Sequence, residues 1–218
     1  MSHGEAVPGD ADLLDEPYRP EIVSSDTVYS GAVWNIRRDQ FRYNDATITR
    51  EYVDHTGAVA VLALDEHDRV LLIRQYRHPV RSRDWEIPAG LLDIAGEDPW
   101  RAAQRELAEE TDLQAEQWHV LADVCTSPGG SDEAIRIYLA RSVSATDQVF
   151  EREEEEADIQ KRWVPLDDAV AAVLEGRVHN APLLIALLAA HASRASGWSS
   201  LREADSPWSS HPGLNKAG

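Results

Sequence analysis

Cysteine is nearly absent. The 218-residue chain holds one, Cys125, which excludes an intrachain disulfide framework and a multi-cysteine zinc site. Long apolar runs are missing too: no stretch approaches the roughly 18 uninterrupted apolar residues of a membrane span. The opening MSHGEAVPGDADLLDE has neither a basic n-region nor an apolar h-region, so no signal peptide is expected. With the lone cysteine, this makes a reducing, cytoplasmic setting the expectation. Basic residues are scarce: 21 Lys and Arg stand against 39 Asp and Glu, a net charge of −18. Such a surface repels polyanions, which excludes a general nucleic-acid or anionic-membrane binder. A small anionic ligand remains open, because metal ions can bridge acid to acid.

What is present is an ordinary globular composition, 43% hydrophobic and 28% charged, enough for a sizeable core. Residues 1–20 are acidic, carry Gly and Pro, and show no periodicity, so a mobile arm is expected there. Residues 21–55 read as strands, with a turn at Asn44-Asp45 between VWNIRRDQFRY and TITREYV. These strands are polar on one side and need a partner surface. GAVAVLALD (57–65) reads as a strand buried on both faces, and RVLLIRQYR (69–77) as the returning strand. WEIPAG (85–90) leads through a loop to a helix that Asp98 can cap and Pro99 can open. Trp100, Ala103 and Leu107 form its core stripe. WHVLADVC, AIRIYLAR and IQKRWV read as strands, DDAVAAVLEG and APLLIALLAAHASR as closing helices with Gly176 as a stop. From residue 196 to 218 the chain is rich in Ser, Gly and Pro, and a mobile tail is expected. Strands mixed with few helices predict an α/β fold with a mixed sheet.

The helix beginning at Pro99 carries the chemistry. Glu106 and Glu110 are four apart and Glu109 is three from Glu106, so all three share one face. That face adjoins the apolar stripe. Carboxylates crowded at a core edge repel one another unless a cation sits among them. Clustered carboxylate oxygens suit Mg²⁺ or Mn²⁺. From these residues alone, a solvated acidic face paired with Arg101 and Arg105 is the competing reading.

Upstream context decides between them. GLLDIAGEDPWRAAQRELAEETDL (90–113) resembles the Nudix box, Gly-x5-Glu-x7-Arg-Glu-U-x-Glu-Glu-x-Gly-U, where U is aliphatic. Glu97, Arg105, Glu106, Leu107, Glu109, Glu110 and Leu113 fall on the pattern. One extra residue separates Gly90 from Glu97, and Asp112 replaces the second glycine. The resemblance covers about residues 22–195. It implies the Nudix fold, an α/β/α sandwich around a mixed sheet with a small N-terminal antiparallel β lobe. It also implies metal-dependent hydrolysis of a nucleoside diphosphate linked to another moiety. LIRQYRHPV with WEIPAG, the PGG beginning at Pro128, and GRVHNAPLLIALL resemble the ADP-ribose pyrophosphatase branch. That branch implies a catalytic domain over 56–195 and a lobe over 21–55 exchanged between the subunits of a homodimer.

Carried over by position, the resemblance implies metal binding by Glu106, Glu109, Glu110 and the backbone carbonyl of Ala89. Arg50 and Arg77 would contact substrate, and Glu86 and Glu133 would accept hydrogen bonds from adenine or ribose groups. Trp34 is a candidate adenine-stacking platform. The base that accepts the proton of the attacking water would be Glu155 or Glu156, in the acid run before Asp158-Ile159, with Glu109 as the alternative. The implied reaction cleaves ADP-ribose to AMP and ribose 5-phosphate. Hydrolysis of another nucleoside-diphosphate sugar or a dinucleoside polyphosphate is the enzymatic alternative. The intact glutamates argue against a domain that only binds ADP-ribose. His78, His119 and His179 are scattered and read as structural.

Overall fold

The computed structural model describes residues 13–148, 150 and 158–214. The chain divides between Glu51 and Tyr52 into two compact units. The first holds β1 (Ile22–Ser30), β2 (Asn35–Tyr43) and most of β3 (Ala46–Asp54), in a sheet ordered β1-β2-β3. β1 and β2 are antiparallel, with Ser30 opposite Asn35 and Thr27 opposite Arg37. Asn44 takes a φ of 51° at the β2–β3 turn, a conformation asparagine tolerates well. Polar pairs lace the strands: Ser25 donates to Asp39, and Arg38 on β2 binds Glu51 on β3. None of the described residues before Tyr52 is buried. The antiparallel lobe is present, and it has no core of its own. The arm expected over 1–20 lies outside the described residues up to residue 12.

The second unit is built on β4 (Ala58–Ala63), in which every residue is buried. Around it runs a five-stranded sheet ordered β11-β8-β9-β4-β7. Its members are β8 (Leu113–Cys125), β9 (Ala134–Ala145), β7 (Ala89–Leu91) and β11 (Arg202–Glu203). β4 is parallel to β9 and antiparallel to β7, so the sheet is mixed. A second sheet places β5 (Arg69–Arg77) between β10 (Gln160–Pro165) and β6 (Ser82–Glu86).

Strand alternation assigns the faces. Val59, Val61 and Ala63 pack with Ala102, Ala103 and Leu107 of α1 (Pro99–Thr111). Ala58, Ala60 and Leu62 pack instead with α2 (Leu166–Leu174) and α3 (Ala181–Ala195), through Leu166, Val170, Leu183 and Leu187. Full burial of each Leu or Val contributes about 1.5–3 kcal/mol, so β4 is covered by helices on both sides. This is the expected α/β/α layering. Asp98 stands at the N-cap of α1, but its side chain makes no capping bond; Pro99 opens the helix.

WEIPAG spans the end of β6 and most of β7, strands of five and three residues around Pro88. Two local readings differ. β8 starts at Leu113 rather than Trp118, because Gln114, Ala115 and Gln117 extend the pairing with β9. The tail expected to be mobile over 196–218 is folded back over its described part, 196–214. Arg202 and Glu203 pair with Val120 and His119 at the sheet edge. Trp208 is buried against the Arg136 guanidinium, 4.8 Å from its ring centre. Arg136 also clasps Asp123 through two bonds of 2.7 and 3.0 Å. It donates to the Ser206 and Pro207 carbonyls as well. Serine and glycine set the composition of this segment, but single side chains anchor it. Trp208→Ala is expected to remove about 3 kcal/mol of stability, in line with other buried aromatic truncations. Calorimetry will read this as a lowered Tm, whereas an unanchored tail would leave Tm unchanged.

Candidate active site

The acidic face of α1 lies against β7. Register with β4 fixes β7: Ala89 stands opposite Ala60 and Gly90 opposite Val59. The Ala89 N–H donates to Glu110 Oε2 at 3.0 Å, and Glu110 is only 3% exposed. Glu106 packs onto Gly90 so closely that a Cβ there would fall inside its carboxyl group. The glycine of the box is therefore a space requirement set by the glutamate sixteen positions on.

One cation organises the cluster. Arg105 forks onto Glu97, Nε to Oε1 at 3.2 Å and Nη2 to Oε2 at 2.9 Å. Its Nη1 donates to Glu106 at 2.6 Å and to Glu109 at 3.2 Å. The bond to Glu97 above all, with the charge of Glu106, raises the Arg105 pKa beyond its already high value, against the opposing effect of burial.

Both departures from the box pattern are absorbed. The extra residue sits in a turn closed by Glu97 N–H to the Ile94 carbonyl, where Gly96 has a φ of 80°. Asp112 adopts the left-handed conformation, φ 60° and ψ 32°, that glycine would take, and its N–H caps Ala108. Lys161 Nζ steadies this helix end, donating to Asp112 Oδ2 at 2.7 Å and to the Thr111 carbonyl at 3.0 Å.

Beside the box, Arg77 and Glu86 bind each other across the β5–β6 hairpin, with bonds of 2.9 and 2.7 Å. Gln75 adds a bond of 3.3 Å to Glu86. The Glu86 side chain is 3% exposed and that of Arg77 46%. Arg77 therefore faces outward, and Glu86 is the buried carboxylate that aims it. This bond, more than any other effect, raises the Arg77 pKa. Smaller contributions come from Glu110 and Asp84, which shows that Arg77 lies within the field of the box. Glu133 stands on another loop, paired with His55 at 3.1 Å and with the Thr126 hydroxyl. Arg50, whose Nη1 donates to the Thr49 carbonyl, and Trp34 belong to the first unit. Glu155 and Glu156 lie outside the described residues.

Among the described residues, no three His, Cys, Asp or Glu side chains stand close enough to hold one ion. Arg105 occupies the space between the carboxylates. The donor set still suits a hard divalent cation: Glu106, Glu109 and Glu110 offer only oxygens, and Gly90 leaves the room in which the Glu106 carboxyl sits. The sequence pointed to Arg105 as a partner of the helix acids in the competing reading, but not to its fork onto Glu97. Sequence reasoning overlooked His55, for which no spacing signal exists.

The NUDIX domain profile matches residues 54–187. That is more than half of the chain and contains the whole acidic cluster. The chain belongs to the Nudix family. It is 43% identical over 193 residues to an ADP-ribose pyrophosphatase of Mycobacterium tuberculosis, covering 88% of this chain and 92% of that one. It is 35% identical over 171 residues to a methanol dehydrogenase activator of Bacillus methanolicus, covering 78% and 91%. A crystal structure of an ADP compounds hydrolase superposes with a TM-score of 0.69 at 22% identity, over 84% of this chain and 99% of that one. At that identity the match speaks for the Nudix fold alone. The tight contact in this Nudix box makes a direct prediction. Gly90→Ala should displace Glu106 and lower kcat on the order of 10²-fold while the circular dichroism spectrum stays that of the wild type. Unchanged turnover would mean the glutamate position is immaterial.

Proposed function

We propose that this Nudix protein hydrolyses the pyrophosphate of ADP-ribose to AMP and ribose 5-phosphate, with Mg²⁺ or Mn²⁺. The observation that carries the reading is the docking of Glu106 and Glu110 on β7 beside the Arg77–Glu86 pair. The name of the M. tuberculosis relative supports the choice of substrate. Glu106, Glu109, Glu110 and the Ala89 carbonyl would hold the cation. Such an ion supplies charge neutralisation on the phosphate oxygens and lowers the pKa of a bound water. Arg77, its fork held flat by Glu86, offers N–H groups to a phosphate oxygen. Glu155 or Glu156 accepts the proton of the attacking water, with Glu109 as the alternative.

The assembly is a homodimer that exchanges the N-terminal lobe, so that Arg50 and Trp34 of one copy serve the site of the other. The support is that lobe's lack of any buried residue, with Val28, Tyr29, Val33 and Tyr43 all exposed. Among the described residues no helix is long and apolar enough to cross a membrane.

Product analysis with ADP-ribose, NADH and a GDP-sugar, each with Mg²⁺ and with Mn²⁺, tests the substrate. Intact ADP-ribose alongside cleavage of another diphosphate would refute the assignment. Light scattering at micromolar concentration should give twice the monomer mass.

Two classes of variant separate the roles. Glu106→Gln should cost on the order of 10³-fold in turnover and weaken metal binding in calorimetric titration. The double change Glu155→Gln/Glu156→Gln should cost roughly 10²–10⁴-fold with metal affinity unchanged. Near-full activity in the double variant would move the base to Glu109.

A further inference from the structure

A second polar network stands outside the box, around His55. Its side chain is 5% exposed. Its Nδ1 accepts the Gly57 N–H at 2.9 Å, so the ring proton resides on Nε2. That nitrogen is 3.1 Å from Glu133 Oε1 and donates to it. The other oxygen of Glu133 accepts the Thr126 hydroxyl. Both carboxylate oxygens are thus fixed, and the His55 bond above all holds the Glu133 carboxyl below the usual range, against the effect of burial.

Strand register places this network beside the box. Ala58 stands opposite Ile135 on one side and Leu91 on the other. The Leu92 N–H donates to the Gly57 carbonyl at 3.0 Å. The turn from His55 to Gly57 therefore lies between the loop of Glu133 and the chain leaving β7 into the box. The 126–133 loop is tied to the same stretch. Val53 donates to the Gly130 carbonyl, Asp132 to the Val53 carbonyl, and the His55 N–H to Asp132 Oδ1. Gly57 has a φ of 88°, and a Cβ there would fall within the His211 ring. The folded-back tail thus backs the turn that carries His55.

We propose that His55 is a positioning residue for substrate binding. Through its Nε2–H it orients Glu133, whose remaining lone pairs accept hydrogen bonds from the hydroxyls of a nucleoside-diphosphate sugar. The proposal rests on the ADP-ribose reading above. A carboxylate offers about four acceptor positions, so two remain after His55 and Thr126. A glutamate free to rotate would lose that aim on each encounter.

Two variants separate positioning from a merely structural role. His55→Asn keeps an acceptor for the Gly57 N–H, but its amide is too short to serve Glu133. His55→Gln reaches Glu133 with an N–H but gives up the Gly57 bond. Positioning predicts that His55→Asn raises the KM for ADP-ribose about tenfold, with kcat within about threefold, and that His55→Gln stays within about threefold of wild type in KM. A turn-stabilising role predicts the reverse order, and that order would overturn the proposal. Glu133→Gln and the double variant His55→Asn/Glu133→Gln complete the cycle. If His55 acts through Glu133, the double variant is no worse than Glu133→Gln, whereas effects that multiply overturn the proposal. A raised KM in Glu133→Gln with a wild-type KM in His55→Asn overturns the role of His55 alone. An unchanged KM in Glu133→Gln overturns the reading of Glu133, and with it this proposal.

Discussion

Everything at the candidate site depends on keeping four carboxylates close together at the edge of a core. Glu97, Glu106 and Glu109 share Arg105, and Glu110 is held by a backbone N–H. Uncompensated, partly buried carboxylates would take up protons or push α1 away from the sheet. Bonds of 2.6–3.2 Å from Arg105 and from the Ala89 N–H hold them in place. The apolar side of α1 supplies the opposing force: Ala102, Ala103 and Leu107 are fully buried against β4 and β9. Hydrophobic docking thus sets the depth of the helix, and Arg105 makes that depth tolerable for its acids.

The same logic explains the use of small residues at close approaches. Gly90 admits Glu106, and Gly57 admits the His211 ring. Both lie on segments hydrogen-bonded to one another, since Leu92 donates to the Gly57 carbonyl. Substitution at either position would be felt at the other through that bond. Asp112 is the contrasting case. It replaces a glycine whose role is a backbone conformation rather than space, and Lys161 offsets the cost of the left-handed turn.

Legibility in the sequence followed the range of the interaction. Glu106, Glu109 and Glu110 share a helix face, so their spacing alone placed them together. β4 was legible because a strand covered on both sides must be a continuous apolar run. The Arg77–Glu86 pair spans a hairpin: both residues were picked as candidates, but their bond to each other was not visible. His55 and Glu133 are joined across 78 positions, and nothing local announces that. The tail shows the opposite failure. Its composition reads as loose, while its anchoring rests on Trp208, His211 and a two-residue strand. Composition averages over a segment, whereas docking is decided by one or two side chains.

A net charge of −18 and an anionic pyrophosphate substrate look incompatible until charge is considered locally. The long-range field repels the ligand, but it is screened within about 8–10 Å at physiological salt. Inside that distance the arrangement of single groups decides. Arg77 is presented outward by a buried carboxylate, so its guanidinium stays partly exposed while one edge is already satisfied. A divalent cation on the acids of α1, as the proposed function has it, would reverse the local sign. An acidic protein would then gain selectivity from its own repulsion: polyanions without a bound cation find no favourable surface, and a compact diphosphate would share the ion.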